Sequence, residues 1–164
     1  MQVTFLIRNP AILSGFFLLC ACSYTAPQSS PVDSHCLGDS TSIREVQGED
    51  GYSPLQGDRL SIRGIVTRVE AGRGFYLEEP SQDKASRSSS ALFVSDEALS
   101  TTVSAGQELR ISGLVTEAGT TRDKMTSLSD VSALEFCRDN AELPITQAVL
   151  PMNARDREAL EGMR

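Results

Sequence analysis

The chain has 164 residues and a formal net charge of −7, with 40% hydrophobic residues, 5% aromatics, no Trp, one His and four Cys. That length allows one full domain, and the apolar content is enough for a core. The acidity excludes a strongly basic nucleic-acid binder. The single His leaves a His-based hydrolase or zinc enzyme only one candidate base or ligand, His35.

In chain order, residues 5–22 read FLIRNPAILSGFFLLCAC, with Arg8 as the only charge. The apolar run Ile12 to Ala21 falls short of the roughly 20 residues needed to cross a bilayer. It fits an export signal, residues 1–21. Leu19-Cys20-Ala21-Cys22 resembles the bacterial lipobox, which implies cleavage before Cys22 and attachment of diacylglycerol to the Cys22 thiol. The alternative is an ordinary cleaved signal with two incidental thiols. Cleavage there removes Arg8 and no acidic residue, so the balance of −7 becomes −8. Ser23, where an Asp would favour inner-membrane retention, points to the outer membrane or cell surface in a two-membrane bacterium. Residues 22–35 are rich in Ser and Pro and read as a flexible tether.

Cys36 and Cys137 flank the next segment, residues 36–140. In an exported chain, with Cys22 lipidated and Cys20 removed, these two are expected to pair as a disulfide. The alternatives are free thiols or a metal site, and two Cys with no second pair or neighbouring His make a poor zinc site.

Between them the pattern is β. Leu60 to Val69 and Leu109 to Thr116 are alternating and β-branched, and shorter strands are predicted over 74–78, 91–94 and 126–136. Ile43 to Gln47 is expected to add an edge strand, and no segment before residue 150 has a helical period. Residues 57–67 (GDRLSIRGIVT) echo residues 106–116 (GQELRISGLVT), each copy with a Gly in mid-strand. Such glycines mark bends or bulges. Two bent strands among five predict a small closed all-β barrel of the OB-like kind, with a β-sandwich as the alternative.

No catalytic set is visible. Glu78 and Glu79 are adjacent, so a strand would turn them to opposite faces. Asp83, Asp96 and Asp123 sit in predicted loops and read as solvated turn residues. Nucleic-acid contact is the better use of an OB-like surface, because stacking needs exposed aromatics and backbone tracking needs cations. Phe75 and Phe93 are assigned to the core, leaving Tyr76 to stack. Arg59, Arg63, Arg68 and Arg73 recur along the first long strand and its turn. Arg63, Arg68, Arg73 and Tyr76 are the candidate contacts. Arg63 and Arg68 differ by an odd number, so a bulge, expected at Gly64, is needed to bring them to one face. The excess of acidic groups opposes polyanions at long range.

The order of motifs resembles the non-catalytic domain that precedes the catalytic domain in bacterial secreted nucleases of the endonuclease/exonuclease/phosphatase type. Those motifs are Ile43-Arg44-Glu45-Val46-Gln47-Gly48, Ser53-Pro54-Leu55-Gln56-Gly57, Ile62-Arg63-Gly64-Ile65-Val66-Thr67, Gly74-Phe75-Tyr76-Leu77-Glu78-Glu79-Pro80, Ser89-Ser90-Ala91-Leu92-Phe93-Val94 and residues 105–117. The resemblance runs from about residue 36 to 164. It implies an OB-like accessory domain that positions nucleic acid or a catalytic domain. Any divalent metal would belong to that catalytic domain, and none is expected in this chain, nor another cofactor. Residues 141–164 then read as a linker and the start of a following domain, since Glu161-Gly162-Met163 is similar to a segment preceding a further strand. The expected partners are a membrane through the lipid, a catalytic nuclease domain and, weakly, nucleic acid. The alternative function is a surface or periplasmic lipoprotein that binds a protein or glycan. A hydrolase in its own right is the third and weakest reading.

Overall fold

The structure, a computed structural model, describes residues 36–49, 51–80, 88–119, 124–145 and 151–163. The export signal, Cys22, the tether, His35, Asp83 and Asp123 lie outside the described residues. Five strands close into a barrel: β1 (Arg59–Glu70), β2 (Gly74–Glu78), β3 (Ala91–Val94), β4 (Glu108–Ala118) and β5 (Met125–Arg138). The order around the ring is β1-β2-β3-β5-β4, and β4 returns to β1. All pairings are antiparallel except β3 with β5. The all-β, OB-like five-stranded barrel expected from the sequence is the fold of this chain.

Closure depends on β1 serving two neighbours. Its first half, residues 59–65, pairs with β4, and its second half, from Ile65, pairs with β2. Gly64 lies at the changeover, where an added Cβ would meet the Glu78 carbonyl oxygen at 3.1 Å and Leu77 Cβ at 3.2 Å. Gly113 occupies the matching place in β4, at a break in register with β5. There a Cβ would lie 2.7 Å from the Ser129 carbonyl oxygen and 2.8 Å from Leu128 Cγ. At Gly113 the approach leaves no room for a side chain without a shift of the Ser129 backbone, and at Gly64 the neighbours would have to give by a few tenths of an ångström.

Inward-facing residues of every strand fill the barrel: Ile62 and Val66, Phe75 and Leu77, Leu92 and Val94, Leu109, Ile111 and Val115, and Leu128. Residues 43–47 form a helix, α1 (Ile43–Gln47), where an edge strand was expected. Among the described residues, the strand-like pairing nearby is the single parallel bridge Thr41 to Ile62. Burial decides the outcome: Ile43, Val46 and Gln47 are all buried, and the spacing i, i+3, i+4 brings them to one side of a helix. Ile43 and Val46 then join the core cluster, and the Gln47 side-chain amide donates to the Ala91 carbonyl. Arg44 donates to the Ser88 carbonyl at 2.7 Å. Gly48, at φ +70°, ends the turn. Between β3 and β4 there is only a 3-10 turn, Leu99–Thr101, started by Asp96, whose Oδ1 accepts from the Leu99 N–H at 2.9 Å.

The disulfide between Cys36 and Cys137 is present, with Cα atoms 5.5 Å apart and a sequence separation of 101 residues. It joins the chain ahead of α1 to the end of β5. The segment expected to be a linker contains α2 (Ala154–Glu158), capped by Asn153, whose side chain accepts from the Asp156 N–H. Beyond α2 the chain turns against the barrel: the Ser89 hydroxyl donates to the Glu161 carbonyl at 2.6 Å.

Candidate nucleic-acid interface

The outer face of β1, β2 and β3 brings together an aromatic pair and two guanidinium groups. Its register is set by a one-residue bulge in β1: Val66 pairs with Leu77, but Arg68, two residues on, pairs with Tyr76. The extra residue is Thr67. The bulge therefore lies at Thr67, not at Gly64 as expected, and it returns Arg68 to the outside while Val69 still packs on the core.

Tyr76 pairs across the strands with Phe93, and their rings lie 5.0 Å apart, tilted by 55°. Phe93 is buried, as expected of a core residue. It nevertheless alternates between the core residues Leu92 and Val94 and so faces outward, beneath Tyr76. The run Ala91-Leu92-Phe93-Val94 is apolar throughout, so it gave no alternation from which to read this. The Arg68 guanidinium carbon is 5.7 Å from the centre of the Tyr76 ring, a cation–π arrangement worth roughly 0.5–1 kcal/mol at an exposed site.

Arg68 and Arg73 share one carboxylate. Arg68 Nη2 lies 2.9 Å from Glu70 Oε1, and Arg73 Nη1 lies 2.9 Å from Glu70 Oε2. The arginine side chains are 69% and 71% exposed, whereas Glu70 is 16% exposed. Ion pairs this open contribute little stability, on the order of 0–1 kcal/mol. Their effect is positional: two guanidinium groups stay over the face against one negative charge. The Tyr76 phenol is held above the usual tyrosine range, first by burial and next by the Glu70 carboxylate, with Arg68 and Arg73 opposing. It remains a hydrogen-bond donor at neutral pH. Next to the pair, a hollow of about 310 Å³ is lined by Arg73, Phe93, Ser95, Ala118, Met125 and Ser127.

Arg68, Arg73 and Tyr76 are thus brought together, and Arg63 is not. Arg63 Nε and Nη2 both lie 2.8 Å from Glu108 Oε1, and Arg138 Nη2 lies 2.8 Å from Glu108 Oε2. Glu108 is buried and clamped between them, which makes Arg63 part of the β1–β4–β5 seam. Arg59 is paired with Asp130, and Arg110 with Glu135. Of the two adjacent glutamates, Glu78 is fully buried and Glu79 accepts from the Ile43 N–H at the start of α1. Among the described residues, no group of three or more His, Cys, Asp or Glu side chains is placed to hold a metal ion. Sequence reasoning missed Thr67, Gly162 and Met163, all close to Tyr76. A bulge residue and a segment distant in sequence leave no periodic trace.

No protein-family model matches the chain, and no curated protein matches it.

Proposed function

We propose that this chain is the OB-like, non-catalytic accessory domain of an exported, lipid-anchored, nuclease-related protein, and that it positions single-stranded nucleic acid. One observation carries the reading. Tyr76 and Phe93, with Arg68 and Arg73 beside them, occupy the outer face of β2 and β3, the face on which OB-like barrels hold extended strands. The half-buried Tyr76 ring, packed on the buried Phe93 and edged by guanidinium groups, takes bases by stacking and the backbone by charge. The order of sequence motifs supports the nuclease connection, and the resemblance of Leu19-Cys20-Ala21-Cys22 to a lipobox supports the anchor.

The test is fluorescence anisotropy of a labelled oligothymidylate with the purified chain at low salt. Saturable binding is expected, with Tyr76→Ala and the double variant Arg68→Ala/Arg73→Ala each weakening it at least fivefold and Arg63→Ala leaving it unchanged. Binding that ignores Tyr76, or no binding at all, overturns the proposal.

A second reading, a lipoprotein module that binds a protein partner, has its own observation. Leu37 and Phe136, next in sequence to the two disulfide cysteines, leave large apolar side chains exposed. A stoichiometric protein retained on the chain from membrane extracts, and lost on Phe136→Ser, would favour it.

A further inference from the structure

We propose that the cavity between the β1 bulge, Tyr76 and the C-terminal turn is a site for one nucleotide with a keto-bearing pyrimidine base. The inference rests on the reading above and names the unit held there. The cavity has a volume of about 530 Å³ and is lined by Thr67, Arg68, Tyr76, Gly162 and Met163. That volume falls within the roughly 300–1,000 Å³ of small-molecule sites.

Thr67 supplies an observation independent of the cavity's shape. It is the additional residue of the bulge, it is 5% exposed, and its hydroxyl has no hydrogen-bond partner. A buried hydroxyl without a partner is costly and calls for a reason. Here the residue lies in the wall of a cavity large enough for a ligand that could satisfy it.

The opposite wall is held in place. The bond from the Ser89 hydroxyl to the Glu161 carbonyl fixes the turn. Gly162, at φ +69°, packs so near Tyr76 that an added Cβ would stand 3.0 Å from its Cδ1 and 3.4 Å from Ala91 Cβ. The lining therefore offers two apolar surfaces, the Tyr76 ring and the Met163 thioether. Its side-chain donors are the Thr67 and Tyr76 hydroxyls and the Arg68 guanidinium; among the described residues no carboxylate lines it, although Glu70 pairs with Arg68 and Glu70 and Glu161 act on Tyr76. A guanidinium only donates, so the set favours a flat body rich in acceptors with an anionic group attached. Thymine and uracil nucleotides have that pattern. They carry two carbonyl acceptors and one N–H donor on a single ring, which two hydroxyls can serve in both senses; adenine has three ring-nitrogen acceptors, an amino group with two N–H donors and a second ring.

The experiment is a titration of the isotopically labelled chain with thymidine 5′-monophosphate and, separately, deoxyadenosine 5′-monophosphate, followed by amide NMR. Shifts are expected to concentrate at Thr67, Arg68, Tyr76, Gly162 and Met163, with the thymidine nucleotide the tighter binder. Thr67→Val keeps the shape and removes the hydroxyl. It should weaken thymidine nucleotide binding about tenfold without lowering the thermal midpoint. Met163→Ala, outside the barrel core, should weaken it several-fold. Shifts centred elsewhere, or Thr67→Val binding within twofold of the parent, overturn the inference. If oligothymidylate still binds in a Tyr76-dependent way while Thr67→Val changes nothing, the nucleotide site falls and the interface stands. If neither mononucleotide nor oligomer binds, both fall.

Discussion

Opening the Cys36–Cys137 bond is the perturbation whose size follows most directly from the structure. The bond spans 101 residues, and the loop it closes contains all five strands. In the reduced chain the unfolded ensemble regains the entropy of that loop, about 4.7 kcal/mol for a closure of this length by the chain-entropy relation. Measured values more often fall at about 2–4 kcal/mol, because denatured chains keep some residual structure. Both sulfurs are buried in the fold, so the packing they provide is largely kept on reduction. A loss of about 3–5 kcal/mol is therefore expected. Each kcal/mol moves the midpoint of a domain this size by about 3–5 °C, so the fall should be on the order of 10–20 °C. Urea melts of the oxidised chain and of the Cys36→Ala/Cys137→Ala variant would measure it. The variant should also show a steeper denaturant dependence, since its unfolded chain exposes more surface. A difference under about 1 kcal/mol would refute loop closure as the source of stabilisation.

Three other outcomes are expected. Gly113→Ala should cost about 1–3 kcal/mol in a chemical melt, since its Cβ meets backbone at 2.7 Å. Gly64→Ala should cost less, its nearest contact being 3.1 Å; a reversed order would contradict the closure geometry. Glu108→Gln should cost about 2 kcal/mol, less than a fully buried pair, because Arg63 and Arg138 are partly exposed and can hydrate once released. Tyr76 should ionise above the ordinary tyrosine value of about 10. Folded and unfolded chains are both protonated there below pH 10, so its contribution is fully present; above that the unfolded chain ionises first and stability is lost as pH rises. Ultraviolet difference titration of the parent against Tyr76→Phe would isolate the phenol, and ionisation at or below the ordinary value would contradict its burial.

The barrel was legible because it rests on a local signal repeated along the chain. Alternation identified β1 and β4, and short β-prone runs between turn residues identified the other three strands, although β5 runs from Met125 to Arg138 and not only over 126–136. Of the two echoed glycines expected to mark bends or bulges, Gly113 lies at a register break, whereas the bulge in β1 falls at Thr67 and not at Gly64. Helix α1 was not legible. The β-branched Ile43 and Val46 favour a strand by propensity, and five residues are too few for their i, i+3 spacing to stand out as a helical period, so packing against the core settles the choice. The interface was half legible for the same reason. Arg68, Arg73 and Tyr76 lie on neighbouring strands and a tight turn, so sequence proximity predicts spatial proximity. Arg63 has the same residue type and nearly the same spacing, yet Glu108, 45 residues away, takes it out of the patch. Phe93, Thr67 and Met163 join the face through pairing register, a bulge and a returning chain end, none of which composition records.

The charge bookkeeping bears on how such a face could hold a polyanion. Around the rest of the barrel, Arg44, Arg59, Arg63, Arg110 and Arg138 each have a carboxylate partner. At the face itself two arginines stand against Glu70, and the Glu161 carboxylate also acts on Tyr76, so the face carries two cations with little net charge. A single-strand binder gains a slope of about −0.7 per phosphate neutralised in log affinity against log salt. Engagement through Arg68 and Arg73 should therefore give a slope between about −0.7 and −1.4. The main contribution would come from stacking on Tyr76, at about 1–3 kcal/mol per base. Oligothymidylate binding measured across a series of salt concentrations separates the two. A shallow slope with strong dependence on Tyr76 fits this arrangement, whereas a steep slope unaffected by Arg68→Ala/Arg73→Ala would mean that the strand is held elsewhere on the chain.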